Sequence, residues 1–240
     1  MRRRSLLAAT GAATLLPRGR PALAEEPADV ALVLAVDVSR SIDEDEARLQ
    51  RQGYRNALSD PKLVEVIRGG MIGSILIAYV EWAGSDYQRL VVPWTRIGSQ
   101  EDANGWSEAL NRAPRQSLSW TSISGGIDFS HKLLGELPVE AMRRVIDVSG
   151  DGVNNSGPPA EEARDRAVAD GITINGLPIL NDRPTFGRGP PVPLDTYYER
   201  SVIGGPGAFS IPAADFEAFE SAVKRKLVRE IAGLDLPRQG

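Results

Sequence analysis

The chain has 240 residues, 28 basic and 32 acidic side chains, a net charge of −4, one histidine and no cysteine. That length suits one large α/β domain able to bury a core without covalent staples, and 42% hydrophobic with 25% charged residues is the composition of an ordinary globular protein. The absence of cysteine excludes disulfides, thiolate metal sites, a cysteine nucleophile and a lipid-bearing cysteine.

The chain starts with Met1-Arg2-Arg3-Arg4, follows with a mildly apolar stretch from Leu6 to Leu16, and reaches Ala22-Leu23-Ala24. A basic start, a short apolar centre and a small-x-small site are the parts of a cleaved export signal. The apolar part is too short for a membrane-spanning helix, which needs about 20 residues. Residues 1–24 are therefore expected to be a signal peptide and residues 25–240 the mature, periplasmic or secreted domain. Arg3-Arg4-Ser5-Leu6-Leu7 also resembles a twin-arginine signal. Cleavage removes five of the 28 basic residues and none of the 32 acidic ones, leaving a net charge of −9. Such an acidic surface argues against nucleic acid and anionic lipid as partners. No later stretch is apolar enough for stable membrane insertion.

Val30 to Val36 is a nearly unbroken apolar run, as in a strand covered on both faces. Asp43 to Ser59 reads as a helix ended by Asp60-Pro61. Met71 to Trp82 and Tyr87 to Thr95 read as two strands close enough to form a hairpin. Glu101 to Arg112 and a segment from Ser122 to before Pro138 are expected helices, and Arg144 to Ser149 a buried strand between them and the next helix, Pro159 to Asp170, with Gly171 at its end. Ile172 to Ile179 is a further strand. Residues 180–207 are crowded with proline and glycine and predict a surface excursion, with a short helix from Asp195 to Arg200. Ala208 to Ile211 is a candidate last strand. Phe216, Phe219, Val223, Leu227 and Ile231 then recur at helical spacing and predict a closing amphipathic helix, with Lys224, Arg225 and Lys226 on its solvated side. The alternation implies a doubly wound, mostly parallel sheet with one antiparallel edge strand and helices on both faces. Ligands bind such sheets beyond the carboxyl ends of the strands.

The chemistry-bearing residues sit at those ends. Asp37, Ser39 and Ser41 follow the first strand at two-residue spacing, so an extended loop turns their oxygens the same way. Asp151 follows a later strand between Gly150 and Gly152, which let the backbone turn sharply. Thr121 precedes a helix, though Thr95 also follows a tryptophan and Ser122 is adjacent. Two carboxylates and three hydroxyls make a hard oxygen site, suited to Mg2+, Mn2+ or Ca2+ rather than zinc or copper. Taken singly these motifs also serve as helix caps and turns, and Ser41 or Asp43 is a candidate cap for the first helix.

In these residues the chain resembles the von Willebrand factor A family, also called integrin I-like. The metal-ion-dependent adhesion site of that family uses D-x-S-x-S, a downstream threonine and a downstream aspartate, matched here in order by Asp37, Ser39, Ser41, Thr121 and Asp151. The resemblance implies that the hydroxyls contact the ion, that the aspartates often act through water, and that one open position takes an acidic group of a protein partner. Where many members have glycine this chain has Arg40. Phrases such as Val145-Ile146-Asp147-Val148-Ser149-Gly150-Asp151-Gly152 also resemble a secreted bacterial subgroup of unknown role.

An exported binding module that is not an enzyme is the expected function. A serine hydrolase would need a histidine base, and His131, on the helix after Thr121, is the sole candidate and reads as a surface or packed residue. No G-x-S-x-G elbow and no phosphate-binding G-x-x-x-x-G-K-[ST] loop occurs. The alternatives are a metal-assisted hydrolase, for which no general base is evident, and an interaction module independent of metal. Trp82, Trp94, Trp106 and Trp120 read as packing residues, with Trp120 singled out by its place beside Thr121. Asn154 and Asn155 are either rim or turn residues.

Overall fold

A computed structural model of the chain describes residues 26–180 and 192–233. The expected signal peptide, with its cleavage point before Glu25, lies outside them, as does the middle of the proline- and glycine-rich excursion. Five strands form one sheet: β1 (Ala28–Asp37), β2 (Ile75–Trp82), β3 (Gln88–Ile97), β4 (Ala141–Gly150) and β5 (Thr173–Pro178). Their order is β3-β2-β1-β4-β5. β1 pairs in parallel with β2 and β4, β4 pairs in parallel with β5, and β3 runs antiparallel to β2 at the edge. This is the doubly wound sheet that the alternating pattern predicts.

Central β1 is buried along its whole length, which is why its run lacks polar alternation. Val30, Leu32, Leu34 and Val36 face one core, and Ala31, Val33 and Ala35 the other. The helices are α1 (Glu44–Leu58), α2 (Pro61–Arg68), α3 (Gln100–Arg112), α4 (Ile123–Gly135), α5 (Ala160–Ala169), α6 (Leu194–Tyr197) and α7 (Phe219–Ala232). The first core takes Tyr54 of α1, Leu63 of α2, Trp106 of α3 and Phe219 of α7. The second takes Ile127 of α4 and Ala163 of α5. A β-carbon on Gly53 would lie 2.8 Å from Phe219 Cδ1, so the glycine sets how closely α1 and α7 approach. Phe219 also meets Tyr54 edge-on at 5.3 Å between ring centroids. Truncating so buried a ring to alanine costs about 3–5 kcal/mol.

Several boundaries differ from expectation for identifiable reasons. Asp60-Pro61 ends α1 but also starts α2: the Asp60 side chain accepts the Lys62 N–H, and Pro61 occupies the first turn, where its missing N–H costs nothing. β2 begins at Ile75 instead of Met71. The preceding turn is held by buried Asp29, whose carboxylate accepts from the N–H groups of Ile72, Gly73 and Ser74. The expected strand at Ala208 to Ile211 is reduced to isolated bridges, Gly176 with Ser210 and Ile179 with Ala213. The short helix inside the excursion is α6 followed by a π turn, Tyr198–Val202. The closing helix begins at Phe219, with Phe216 packed ahead of it. Lys226 corrects the reading of a solvated basic face: it is fully buried, whereas Arg225 is exposed. No helix among the described residues is long and apolar enough to cross a membrane.

Candidate metal centre

Asp37 at the end of β1 is in register with Trp82, and Val36 with Ser149 on β4. The loops after β1 and β4 therefore leave the sheet side by side. The Ser39 N–H donates to Asp37 Oδ1 at 2.7 Å and fixes that carboxylate. Ser39 Oγ and Ser41 Oγ lie 2.9 Å apart. Ser41 Oγ in turn donates to Asp151 Oδ1 at 2.7 Å, joining the first loop to the one after β4. Asp37, Ser39 and Asp151 are buried and Ser41 is exposed, so the cluster reaches solvent on the Ser41 side.

Thr121 arrives from the segment before α4. That segment runs beside the end of β1 through a bridge between Ser39 and Leu118, with Leu118 N–H donating to the Val38 carbonyl at 3.4 Å. Thr121 is then held by the Asp151 loop. Its N–H donates to Asn155 Oδ1 at 2.8 Å, and its carbonyl accepts from the N–H groups of Asn155 and Ser156 at 2.8 and 3.1 Å. A β-carbon on Gly152 would lie 3.8 Å from Thr121 Oγ1, which places the hydroxyl against that loop. Ser122, the neighbouring hydroxyl, caps α4 by accepting the Gly125 N–H at 3.2 Å. Thr95 lies on β3 opposite Ile77, away from the Trp82 end, and bonds to the Pro93 carbonyl.

Trp120 is the one non-glycine residue with positive φ, 72°, among the described residues. Left-handed backbone costs an L-residue roughly 1–2 kcal/mol. The strained link turns the Trp120 ring outward, 55% exposed, while Thr121 beside it is buried. Trp82 and Trp106 are core residues, as expected.

The electrostatics of the cluster ask for a cation. Burial first, and the Asp151 carboxylate second, push Asp37 well above the ordinary carboxylate range, and its bonds to Ser39 offset this only in part. Asp37 Oδ2 is buried without a hydrogen-bond partner among the described residues. A β-carbon on Gly150 would sit 2.9 Å from that oxygen, so only glycine leaves this space clear. An ionised oxygen in such a place is costly unless a positive charge meets it. Beside the Asp37 and Asp151 carboxylates the donors present are neutral hydroxyls, and the set contains neither sulfur nor imidazole, so its chemistry fits a hard divalent ion.

Some supporting residues were not legible in the sequence. Tyr54, on α1, donates to Ser149 Oγ at 3.0 Å beneath the site. The Tyr198 hydroxyl lies 3.1 Å from where a Gly150 β-carbon would be, next to Asp37; nothing but its place in the excursion could have marked it. Arg51 donates through Nε to buried Glu81 at 3.0 Å and through a terminal nitrogen to the Ala113 carbonyl at 2.6 Å, bracing the segment that leads to Thr121. Asn154 and Asn155 are rim and turn residues at once: Asn154 Oδ1 accepts from the Ser124 N–H at 3.1 Å, and Asn154 Nδ2 donates to the Pro158 carbonyl at 3.0 Å. His131 sits farther along α4, 2.8 Å from Asp170 at the end of α5.

Residues 27–235 match the model of a family described as a protein of unknown function, DUF1194. The chain belongs to that family. No curated protein matches it. Solved structures do resemble this DUF1194 chain. The pilus adhesin SpaC from Lactobacillus rhamnosus GG is 15% identical with a TM-score of 0.61, over 85% of this chain and 31% of the adhesin. Proximal thread matrix protein 1 from the mussel byssus, in a form with a zinc-occupied MIDAS motif, is 17% identical with a TM-score of 0.59, over 85% of this chain and 46% of the byssus protein. A von Willebrand factor type A structure from Catenulispora acidiphila is 14% identical with a TM-score of 0.55, over 85% of this chain and 42% of that one. At such identities the likeness shows the fold, which is that of the von Willebrand factor A domain. The DUF1194 chain spans about a third of the adhesin and under half of the byssus protein.

Proposed function

We propose that the protein is an exported binding module that holds a divalent cation, Mg2+, Mn2+ or Ca2+, between Asp37, Ser39, Ser41, Thr121 and Asp151, and uses it to bind a carboxylate on a protein partner. The observation that carries this reading is the buried, unpartnered Asp37 Oδ2 facing a second carboxylate in a cradle otherwise lined by hydroxyls. A zinc-occupied site of the same named type in a protein of the same fold supports it. An ion contacted mainly by neutral hydroxyls keeps much of its charge and attracts an incoming anion even on an acidic protein. Exposed Arg40, between Ser39 and Ser41, adds to that attraction.

The module binds without catalysing. His131, the sole histidine, is engaged with Asp170 away from the cluster, and no other neutral base stands beside the cluster among the described residues. Metal chemistry supplies the attachment, and the residues of the chain orient it.

Calorimetry with Mg2+ or Mn2+ on the mature protein and on Ser39→Ala, with circular dichroism as the folding control, tests the ion site. One-site binding that disappears in a folded variant is the expected result. Equal affinity in both proteins overturns the assignment. For the partner, capture from a periplasmic extract should vanish with chelator, and should weaken when the acidic residue of the captured partner becomes its amide. Capture that survives both treatments places the interaction surface elsewhere.

A further inference from the structure

The end of α7 carries a charged cluster that the metal centre does not use. Lys226, Asp147 and Glu230 are all fully or almost fully buried. Lys226 and Glu230 are one helical turn apart on α7, and Asp147 is in the middle of β4 on the face that α7 covers. Lys226 Nζ lies 2.6 Å from Asp147 Oδ1 and is also in contact with Glu230 Oε1. Lys226 is thus the partner of Asp147, whose Oδ2 has no hydrogen-bond partner among the described residues. Asn175 on β5, in register with Asp147, donates to Glu230 Oε1 at 2.9 Å and holds the second carboxylate in place.

Lys226 and Asp147 have no solvent exposure, while Glu230 and Asn175 line a cavity of about 220 Å³ on the Phe209 side. The Phe209 ring lies 5.4 Å from Lys226 Nζ. Tyr54 of α1 and the apolar residues Leu34, Val145 and Leu227 belong to the same core. Arg143 on β4 donates to the Glu230 and Ile231 carbonyls at 2.6 and 2.8 Å, and Arg229 stacks on the outer side of Phe209 at 3.9 Å, so both guanidiniums are engaged elsewhere. One lysine facing two carboxyl groups in such a place is a costly ion cluster if it stays ionic. The same three groups are also an amine nucleophile, a carboxyl electrophile and a proton carrier, with the first two fully buried.

We propose that Lys226 Nζ and Asp147 Cγ become joined by an intramolecular isopeptide bond, with Glu230 carrying the proton, so that α7 is tied covalently to β4. Transfer of the ammonium proton to the Asp147 carboxylate first gives a neutral amine and a neutral acid. The nitrogen lone pair attacks Cγ and forms the C–N bond. Glu230 takes a proton from that nitrogen and delivers it to the departing hydroxyl. The Cγ–O bond breaks, one water leaves and the amide remains, so no oxidant or cofactor is needed. Burial, with Glu230 adding to it against the pull of Lys226, raises Asp147 to about 7, so the protonated acid is well populated near neutral pH. Fixed proximity can be equivalent to an effective concentration of about 10⁵–10⁸ M, and the full burial of Lys226 and Asp147 disfavours return of water to the new bond. The amide also replaces a buried charge pair by a neutral group.

The test is mass spectrometry on the denatured mature protein. The expected mass is lower than that of the sequence by one water. Because Asp151-Gly152 can also lose water by cyclising, a tryptic map decides. Lys226 should be missing as a cleavage site, and a branched peptide should join residues 145–164 to residues 226–229. Lys226→Met and Glu230→Gln should restore the full mass, and circular dichroism shows whether each variant folds. The wild-type map needs no variant and stands by itself. Full mass with normal cleavage after Lys226 overturns the proposal and leaves a buried ion cluster. Loss of ammonia, with Lys226 joined to the peptide holding Asn175, also overturns the assignment of Asp147. Neither outcome touches the metal centre.

Discussion

Asp37→Asn separates a carboxylate made for an ion from one made for the fold. The amide keeps an oxygen to accept the Ser39 N–H, which Asp37 Oδ1 receives at 2.7 Å, and changes the volume little. It removes the charge that burial and Asp151 oppose. An unsatisfied buried polar atom costs about 1–3 kcal/mol, more when charged. In chelator at about pH 8 the variant should therefore be the more stable protein by roughly 1–3 kcal/mol, which for a domain of this size is about 2–10 °C in melting temperature. The pH dependence follows in sign. The folded pKa of Asp37 lies above its unfolded value, so the folded state binds the proton more tightly. Stability of the chelated wild type should fall as pH rises above the ordinary carboxylate range toward and through the raised value, a contribution that Asp37→Asn lacks. With Mg2+ at a thousand times its dissociation constant the wild type gains about 4.1 kcal/mol, or roughly 8–16 °C, and the variant nothing. The order of the two melting curves should thus reverse between chelator and Mg2+, as scanning calorimetry would record. A variant less stable than wild type in chelator, or one that gains as much from Mg2+, refutes the electrostatic account of the site.

Other outcomes follow from single positions. Trp120→Gly and Trp120→Ala both remove the exposed ring, but only alanine keeps a β-carbon at φ 72°; urea unfolding should find the glycine variant more stable by about 1 kcal/mol. Equal stabilities would show that the backbone there is not strained. Gly126→Ala puts a carbon 2.8 Å from Trp82 Cδ1 inside the core and should destabilise by about 1–3 kcal/mol while weakening the ion site through the start of α4, read by the same calorimetry. Intact-mass analysis of exported protein should give a mature chain beginning at Glu25; a retained Met1 segment would speak against cleavage after Ala24.

The sequence itself determined what depends on short-range pattern. The unbroken run from Val30 to Val36 already specifies a strand covered on both faces, because a polar residue in it would have no water to face. Asp43 and Ser122 mark helix starts because a side-chain oxygen three residues ahead of a free N–H is a local solution to a local need. That the loop of Asp37, Ser39 and Ser41 and the loop of Asp151 would lie side by side was equally legible, since parallel strands deliver their ends to one edge whatever lies between them. Tertiary structure decided the rest. Whether Thr121, Ser122 or Thr95 stands beside the Asp151 loop depended on the bridge between Ser39 and Leu118 and on the left-handed turn at Trp120. Lys226 sits next to the apolar stripe of α7 and by pattern belongs to its wet side. It is buried because Asp147 comes from another strand, far off in the chain, to meet it. A charge enters a core only where a partner waits, and helical periodicity carries no record of a partner on a different element.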